Sequence, residues 1–329
     1  MEFTAEIRKA TEPIYQKISK AVPEIEWSSH APYIYAINKL KKEKNAVILA
    51  HNYQTPEIYH GISDFSADSL ALAVEAAKTK ADIIVMCGVH FMAETAKLMS
   101  PNKKVLLPDM SAGCSLSSSI TGEDVRNLKK KYPGVPVVSY VNTSADVKSE
   151  TDVCCTSANA VKIVNSLGVK KVIFLPDDYL AKYVASQTDV EIISWKGTCE
   201  VHEQFNDQEI NEIRKNNPGI KVIAHPECPP DVINASDFTG STSGMIKYVK
   251  DNQPEKVMMV TECSMSDNVQ VDNPNVKFIR PCNLCPHMKK ITLPKILDCL
   301  KNETNEILMD EVTIEKARKS VERMTKIGR

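Results

Sequence analysis

A chain of 329 residues with 43% apolar and 25% charged side chains has an ordinary globular composition, which excludes a disordered or fibrous chain. Its net charge of −1 offers no electrostatic footprint for nucleic acid, so no such partner is expected. No run reaches the roughly 20 apolar residues of a membrane span, and residues 1–8 hold no apolar signal core, so a cytoplasmic protein with no membrane partner is expected.

Residues 1–40 read as helical. Residues 46–50 then form a short apolar run of the kind a buried strand shows, ending in the polar group His51, Asn52 and Tyr53. Across 65–78, Leu70, Ala73, Val74 and Ala77 share one face at helical spacing. A second apolar run at 83–86 and a third segment at 105–109 follow, and Cys114 comes just after. The same order then returns. Residues 135–139 lead to Tyr140 and Asn142, a hydroxyl-rich stretch with Ser157 opens a helical pattern over 159–167, and runs at 172–175 and 190–195 precede Cys199. In the third passage 220–224 leads to His225 and Glu227, residues 240–244 open a helix at Thr242, and runs at 257–260 and 276–281 precede Cys285. Beyond it, 293–327 carries Ile296, Leu297, Leu300, Val312, Ile314, Ala317, Val321 and Met324 at helical spacings.

The spacing makes this a threefold repeat. Cys114, Cys199 and Cys285 stand 85 and 86 residues apart; Ser69, Ser157 and Thr242 stand 88 and 85 apart; Ile84, Ile173 and Met258 stand 89 and 85 apart. That period is longer than those of solenoids and propellers, so each copy reads as a small domain. Strands alternating with helices imply βαβ units and parallel sheets. The expected fold is therefore α/β, with three pseudo-threefold-related αβα domains whose small parallel sheets surround a central cleft. The expected boundaries are 1–116, 117–201 and 202–286, with helices in 287–329 packing back on the first domain.

Ligands of open parallel sheets collect beyond the carboxyl ends of the strands. His51, Tyr53, Tyr140, Asn142, His225 and Glu227 would all sit there, beside the hydroxyls of Ser69, Ser157 and Thr242 at helix starts that suit anions. Of the ten cysteines, Cys87, Cys154, Cys155, Cys228, Cys263 and Cys299 read as buried or incidental thiols. Cys114, Cys199 and Cys285 read as converging on one point. Three sulfur ligands with no evident fourth suit an iron–sulfur cluster that leaves one iron open, or a zinc ion with an open position that His202 or His287 could complete.

The motifs at 51–54, 91–96, 112–114, 195–202, 225–228 and 282–288 together resemble the quinolinate synthase family, in the same order, over residues 45 to 290 or so. The resemblance implies a transferase of NAD biosynthesis. It would condense iminoaspartate with dihydroxyacetone phosphate to give quinolinate, phosphate and water, with an aspartate-oxidising enzyme as a functional link that supplies the imine. It implies a [4Fe-4S] cluster on Cys114, Cys199 and Cys285, whose open iron acts as a Lewis acid. It also implies substrate contacts from His51 and Ser69, from Tyr140, Asn142 and Ser157, and from His225, Glu227 and Thr242. The catalytic set expected is Glu227 as general acid/base, Tyr53 as proton carrier or oxyanion donor, and His51 and His225 as orienting or proton-sharing groups. Cys282 lies three residues before Cys285, and a disulfide between them would compete with cluster binding. The rival readings are another [4Fe-4S] lyase or hydratase on the same fold and a zinc-bound scaffold.

Overall fold

In the computed structural model, which describes residues 1–328, every strand is short and parallel to its neighbours. The first sheet comprises β1 (Ala46–His51), β2 (Phe65–Ala67), β3 (Ile83–Cys87) and β4 (Lys104–Leu106). The second comprises β5 (Val137–Tyr140), β6 (Val153–Cys155), β7 (Lys171–Leu175) and β8 (Glu191–Ser194). The third comprises β9 (Lys221–Ala224), β10 (Phe238–Thr239), β11 (Lys256–Val260) and β12 (Lys277–Ile279). Their orders are β2-β1-β3-β4, β6-β5-β7-β8 and β10-β9-β11-β12, one topology used three times. Register follows the repeat as well. Ile84, Ile173 and Met258, one row of the period, pair with Val47, Val137 and Val222. Helices cover both faces, which is why β3 is buried at every residue and reads as an unbroken apolar run. The fold class is thus three small parallel sheets, as expected.

Three local features differ from the sequence expectation. Each sheet has a short edge strand, β2, β6 or β10, that no apolar period announces, because two or three residues are too few to show one. The helical reading of 65–78 accordingly splits. Phe65–Ala67 pairs with β1, and Asp68 then caps the helix Ser69–Lys78 by accepting the Ala71 N–H. The tail also breaks in two, Leu293–Asn302 and Glu311–Ile327, with Glu303 and Asn305 at positive φ. The intervening segment covers the open edge of β4, where Ile307 N–H donates to Val105 O and Leu107 N–H to Asn305 O.

Packing of the tail is also divided. Leu293–Asn302 lies on the helix Glu24–Glu43 and on β3, within the first unit. Glu311–Ile327 reaches further, onto the helices His90–Met99 and Ala145–Ser149 and onto β6. Packing on the first domain alone does not describe it. The cause is a face of small and flexible residues, Ala317, Ser320, Val321 and Met324, with Ser320 Oγ donating to Lys148 O in the second unit. Among the described residues no helix is long and apolar enough to cross a membrane.

Candidate active site

The three central strands end in the same way. His51 and Tyr53, Tyr140 and Asn142, and His225 and Glu227 occupy equivalent places two residues apart, so each unit turns a pair of polar side chains to one side. All six line a single cavity of about 710 Å³ including its mouth. Ser69, Ser157, Thr242, Cys114, Cys199 and Cys285 line it too, so every residue singled out from the sequence is brought to one place.

Contacts between units hold the walls together. Tyr140 O–H donates to Glu227 Oε1 in a short hydrogen bond. Ser157 Oγ lies 3.0 Å from His225 Nε2, and Asn52 Nδ2 donates to Thr242 Oγ1 at 2.9 Å. Ser157 is therefore not a helix cap; it stands three residues before the helix Ala160–Ser166 and faces the third unit. Asn142 Oδ1 is buried with no partner of its own, a polar atom left for a ligand in the cavity it lines.

Burial sets the protonation states. It pushes His51 down to about 4 and His225 down to about 3, so both imidazoles are neutral at pH 7. It pushes Tyr53 and Tyr140 well up, which keeps both phenols as donors. Burial alone would also raise Glu227. His225 and His202 beside it, with hydrogen bonds from His202 and Tyr140, outweigh that and hold the carboxyl below its usual range. Among the strand-end residues the site thus sets one carboxylate beside neutral imidazoles and phenols.

The three cysteines share one local geometry. Each precedes a short helical turn, Ser115–Ser118, His202–Gln204 or Met288–Lys290. Each sulfur faces the backbone N–H groups two and three residues on: Leu116 and Ser117, Val201 and His202, His287 and Met288. Such N–H groups favour a thiolate. Burial opposes them, pushing the Cys114 thiol up to about 12 and raising Cys199 and Cys285. A metal group would resolve that conflict, and three soft donors suit an iron–sulfur centre. Cys282 does not join them. It is disulfide-bonded to Cys263, with 5.0 Å between their Cα atoms, so a competing bond to Cys285 does not form and Cys263 is not an incidental thiol. The Cys263 N–H donates to Asn283 O, which brings the two loops together.

Sequence reasoning missed three participants. His202 entered it only as an optional zinc ligand, yet it is buried at the centre of the site. Its Nδ1 lies 3.1 Å from Cys199 Sγ and 2.9 Å from Glu227 Oε2, and its Nε2 lies 3.0 Å from Thr261 Oγ1. Thr261 in turn meets the Tyr53 hydroxyl at 2.6 Å. Glu262 is fully buried; it accepts the Cys285 N–H at 3.3 Å and pairs with Lys289 at 2.9 Å. Asp68 faces the cavity and accepts a hydrogen bond from Ser243 of the third unit. His287, the other candidate zinc ligand, pairs instead with Glu200 at 2.8 Å.

Comparison with known proteins agrees with this geometry. The model of the Quinolinate synthetase A protein family (NadA) matches residues 35–326. A quinolinate synthase of Sinorhizobium fredii is 59% identical over 327 residues, covering 99% of this chain and 91% of its own length. One from Caulobacter vibrioides is 56% identical over 326 residues, 98% of this chain and 89% of its own. One from Xylella fastidiosa is 58% identical over 294 residues, 89% of this chain and 87% of its own.

Proposed function

The chain belongs to the quinolinate synthase family, and from that premise we propose that it condenses iminoaspartate with dihydroxyacetone phosphate to give quinolinate, phosphate and water. The observation that carries the reading is the meeting of three cysteines and three pairs of strand-end polar groups around one cavity. Cys114, Cys199 and Cys285 hold a [4Fe-4S] cluster, which when bound supplies Lewis acidity toward a substrate oxygen.

The chain's own groups divide the remaining work. A dicarboxylate and a phosphate need many neutral donors, and His51, Ser69, Asn142, Ser157, His225 and Thr242 supply them from three sides. Glu227, held as a carboxylate, takes a proton from a substrate carbon and returns it later, acting first as base. Tyr53, held protonated, donates to a developing oxyanion, while the Tyr140 hydroxyl, also protonated, holds Glu227 in place. Two hydrogen-bonded routes leave Glu227, one to Tyr140 and one through His202 and Thr261 to Tyr53. Buried donors on every side exclude water from an imine that water would destroy. An aspartate-oxidising enzyme supplies that imine.

The test is iron, acid-labile sulfide and phosphate release on protein purified without oxygen. We expect about four iron and four sulfide per chain, and quinolinate formed in step with phosphate. Separate Cys114→Ala, Cys199→Ala and Cys285→Ala changes should abolish both. Full iron and sulfide in any one of the three variants would remove that cysteine from the ligand set. A loaded wild type that releases no phosphate from the two substrates would sink the proposed reaction.

A further inference from the structure

His202 completes a ligand set that is distinct from the three cysteines. Cys199 Sγ, a ring nitrogen of His202 and a Glu227 oxygen all lie within 4.8 Å of one another. His202 and Glu227 are 1% and 4% exposed, so neither is a surface group gathered by chance. Thiolate, imidazole and carboxylate are zinc's own donors, and three protein ligands with an open fourth position is a familiar zinc arrangement. His202 Nδ1 stands 3.1 Å from the sulfur and 2.9 Å from Oε2. Bonds of about 2.0–2.3 Å to a central ion need those gaps to open by only about half an ångström.

The outer partners of such a site are already in place. A histidine that binds metal through one nitrogen donates the other N–H to a neighbour, which fixes the tautomer. Here Nε2 faces Thr261 Oγ1 at 3.0 Å, so the proton that Nδ1 shares with Glu227 in the metal-free chain can sit on Nε2 once zinc is bound, which frees the Nδ1 lone pair for the ion. A ligating carboxylate is likewise braced through its second oxygen, and Tyr140 O–H donates to Glu227 Oε1. Cys114 and Cys285 take no part in this set.

We propose that the cluster-free chain binds one zinc ion on Cys199, His202 and Glu227, and that zinc held there blocks cluster assembly, because both need the Cys199 sulfur. On binding, the Cys199 thiol releases its proton to solvent, His202 binds as neutral imidazole and Glu227 as carboxylate; no electron is transferred. The competition rests on the cluster reading above, but the zinc site itself does not.

The full chain, stripped of iron and kept anaerobic, is titrated with zinc, and the bound metal is examined by zinc-edge X-ray absorption. We expect one zinc with a single sulfur neighbour and the rest nitrogen or oxygen. His202→Ala should weaken binding about a hundredfold, while Cys114→Ser and Cys285→Ser leave it unchanged. Zinc-loaded protein should then fail to take up iron and sulfide until the zinc is chelated. Three sulfur neighbours, or loss of zinc in Cys114→Ser or Cys285→Ser, would overturn the proposal in favour of a three-cysteine site. A chain that retains no zinc would also overturn it. The absorption spectrum needs no variant, so a misfolded His202→Ala does not spare the proposal. If zinc-free protein never takes up iron and sulfide, the cluster reading fails and the zinc site stands on the spectrum.

Discussion

Glu227 is the only carboxylate among the strand-end residues that meet in the cavity, and its neighbours hold it charged. Glu227→Gln keeps the shape and removes the base, so kcat should fall about 10²- to 10⁴-fold with iron content unchanged. Steady-state turnover beside iron analysis decides it, and near-normal turnover would take Glu227 out of the reaction. His51 carries a different prediction. Its pKa is pushed down to about 4 by burial, against about 6.5 in an unfolded chain. Between those values the unfolded state binds a proton that the folded state refuses, so stability is lost as pH falls from about 6.5 to 4, by about 3 kcal/mol in all. Denaturant melts of His51→Gln at pH 7 and pH 5 should show a smaller loss than the parent, and an equal loss would assign the acid sensitivity to other groups. The strand-end residues were legible because they recur with the repeat. Asp68 was not, since it works by contact with the third unit, which spacing does not encode, and His202 was not, since the equivalent places three residues after Cys114 and Cys285 hold Ser117 and Met288. Glu262 had a signal that went unread: it stands 85 residues after Asp177, and both follow a third strand and cap the next helix with a buried carboxylate.

Around Cys285 the supporting element is a single turn, Met288–Lys290. Lys289 ties it down. Its ammonium pairs with Glu262 at 2.9 Å and donates to Tyr53 O at 2.8 Å and Ser264 Oγ at 2.7 Å. Glu262 side-chain exposure is 0%, so removing its partner strands a buried charge. We expect Lys289→Met to destabilise the protein by about 3 kcal/mol and to speed iron loss to a chelator. Thermal melting and chelator kinetics check the two effects. An unchanged iron-release rate would show that the turn holds without the lysine. Strands long enough to show an apolar run were legible, and so were the helices over 69–78 and 160–166. The edge strands β2, β6 and β10 were not, nor was the break at Glu303, because helical spacing continues across it while the backbone turns aside to cover β4.

At the scale of the whole molecule, a period near 85 residues implies three units and a shared centre, but it does not say which faces meet. Side-chain pairs between units supply that information. Asn52 of the first unit and Thr242 of the third are both buried, and the Asn52 amide donates to the threonine oxygen at 2.9 Å. Asn268 of the third unit adds bonds to Asn52 O and Gln54 O, so the first strand end is clamped from the far side. Thr242→Val leaves a buried amide unsatisfied and should cost about 1–3 kcal/mol. Asn52→Ala removes the same bond from the other end. If this pair sets how the first and third units meet, the double variant should be less destabilised than the sum of the singles, by about 1 kcal/mol. The same closure positions Thr242 for substrate, so KM should rise in both singles together. Additive stabilities with unchanged KM would mean that the units find their arrangement through the apolar core, and that the polar seam only lines the cavity it borders.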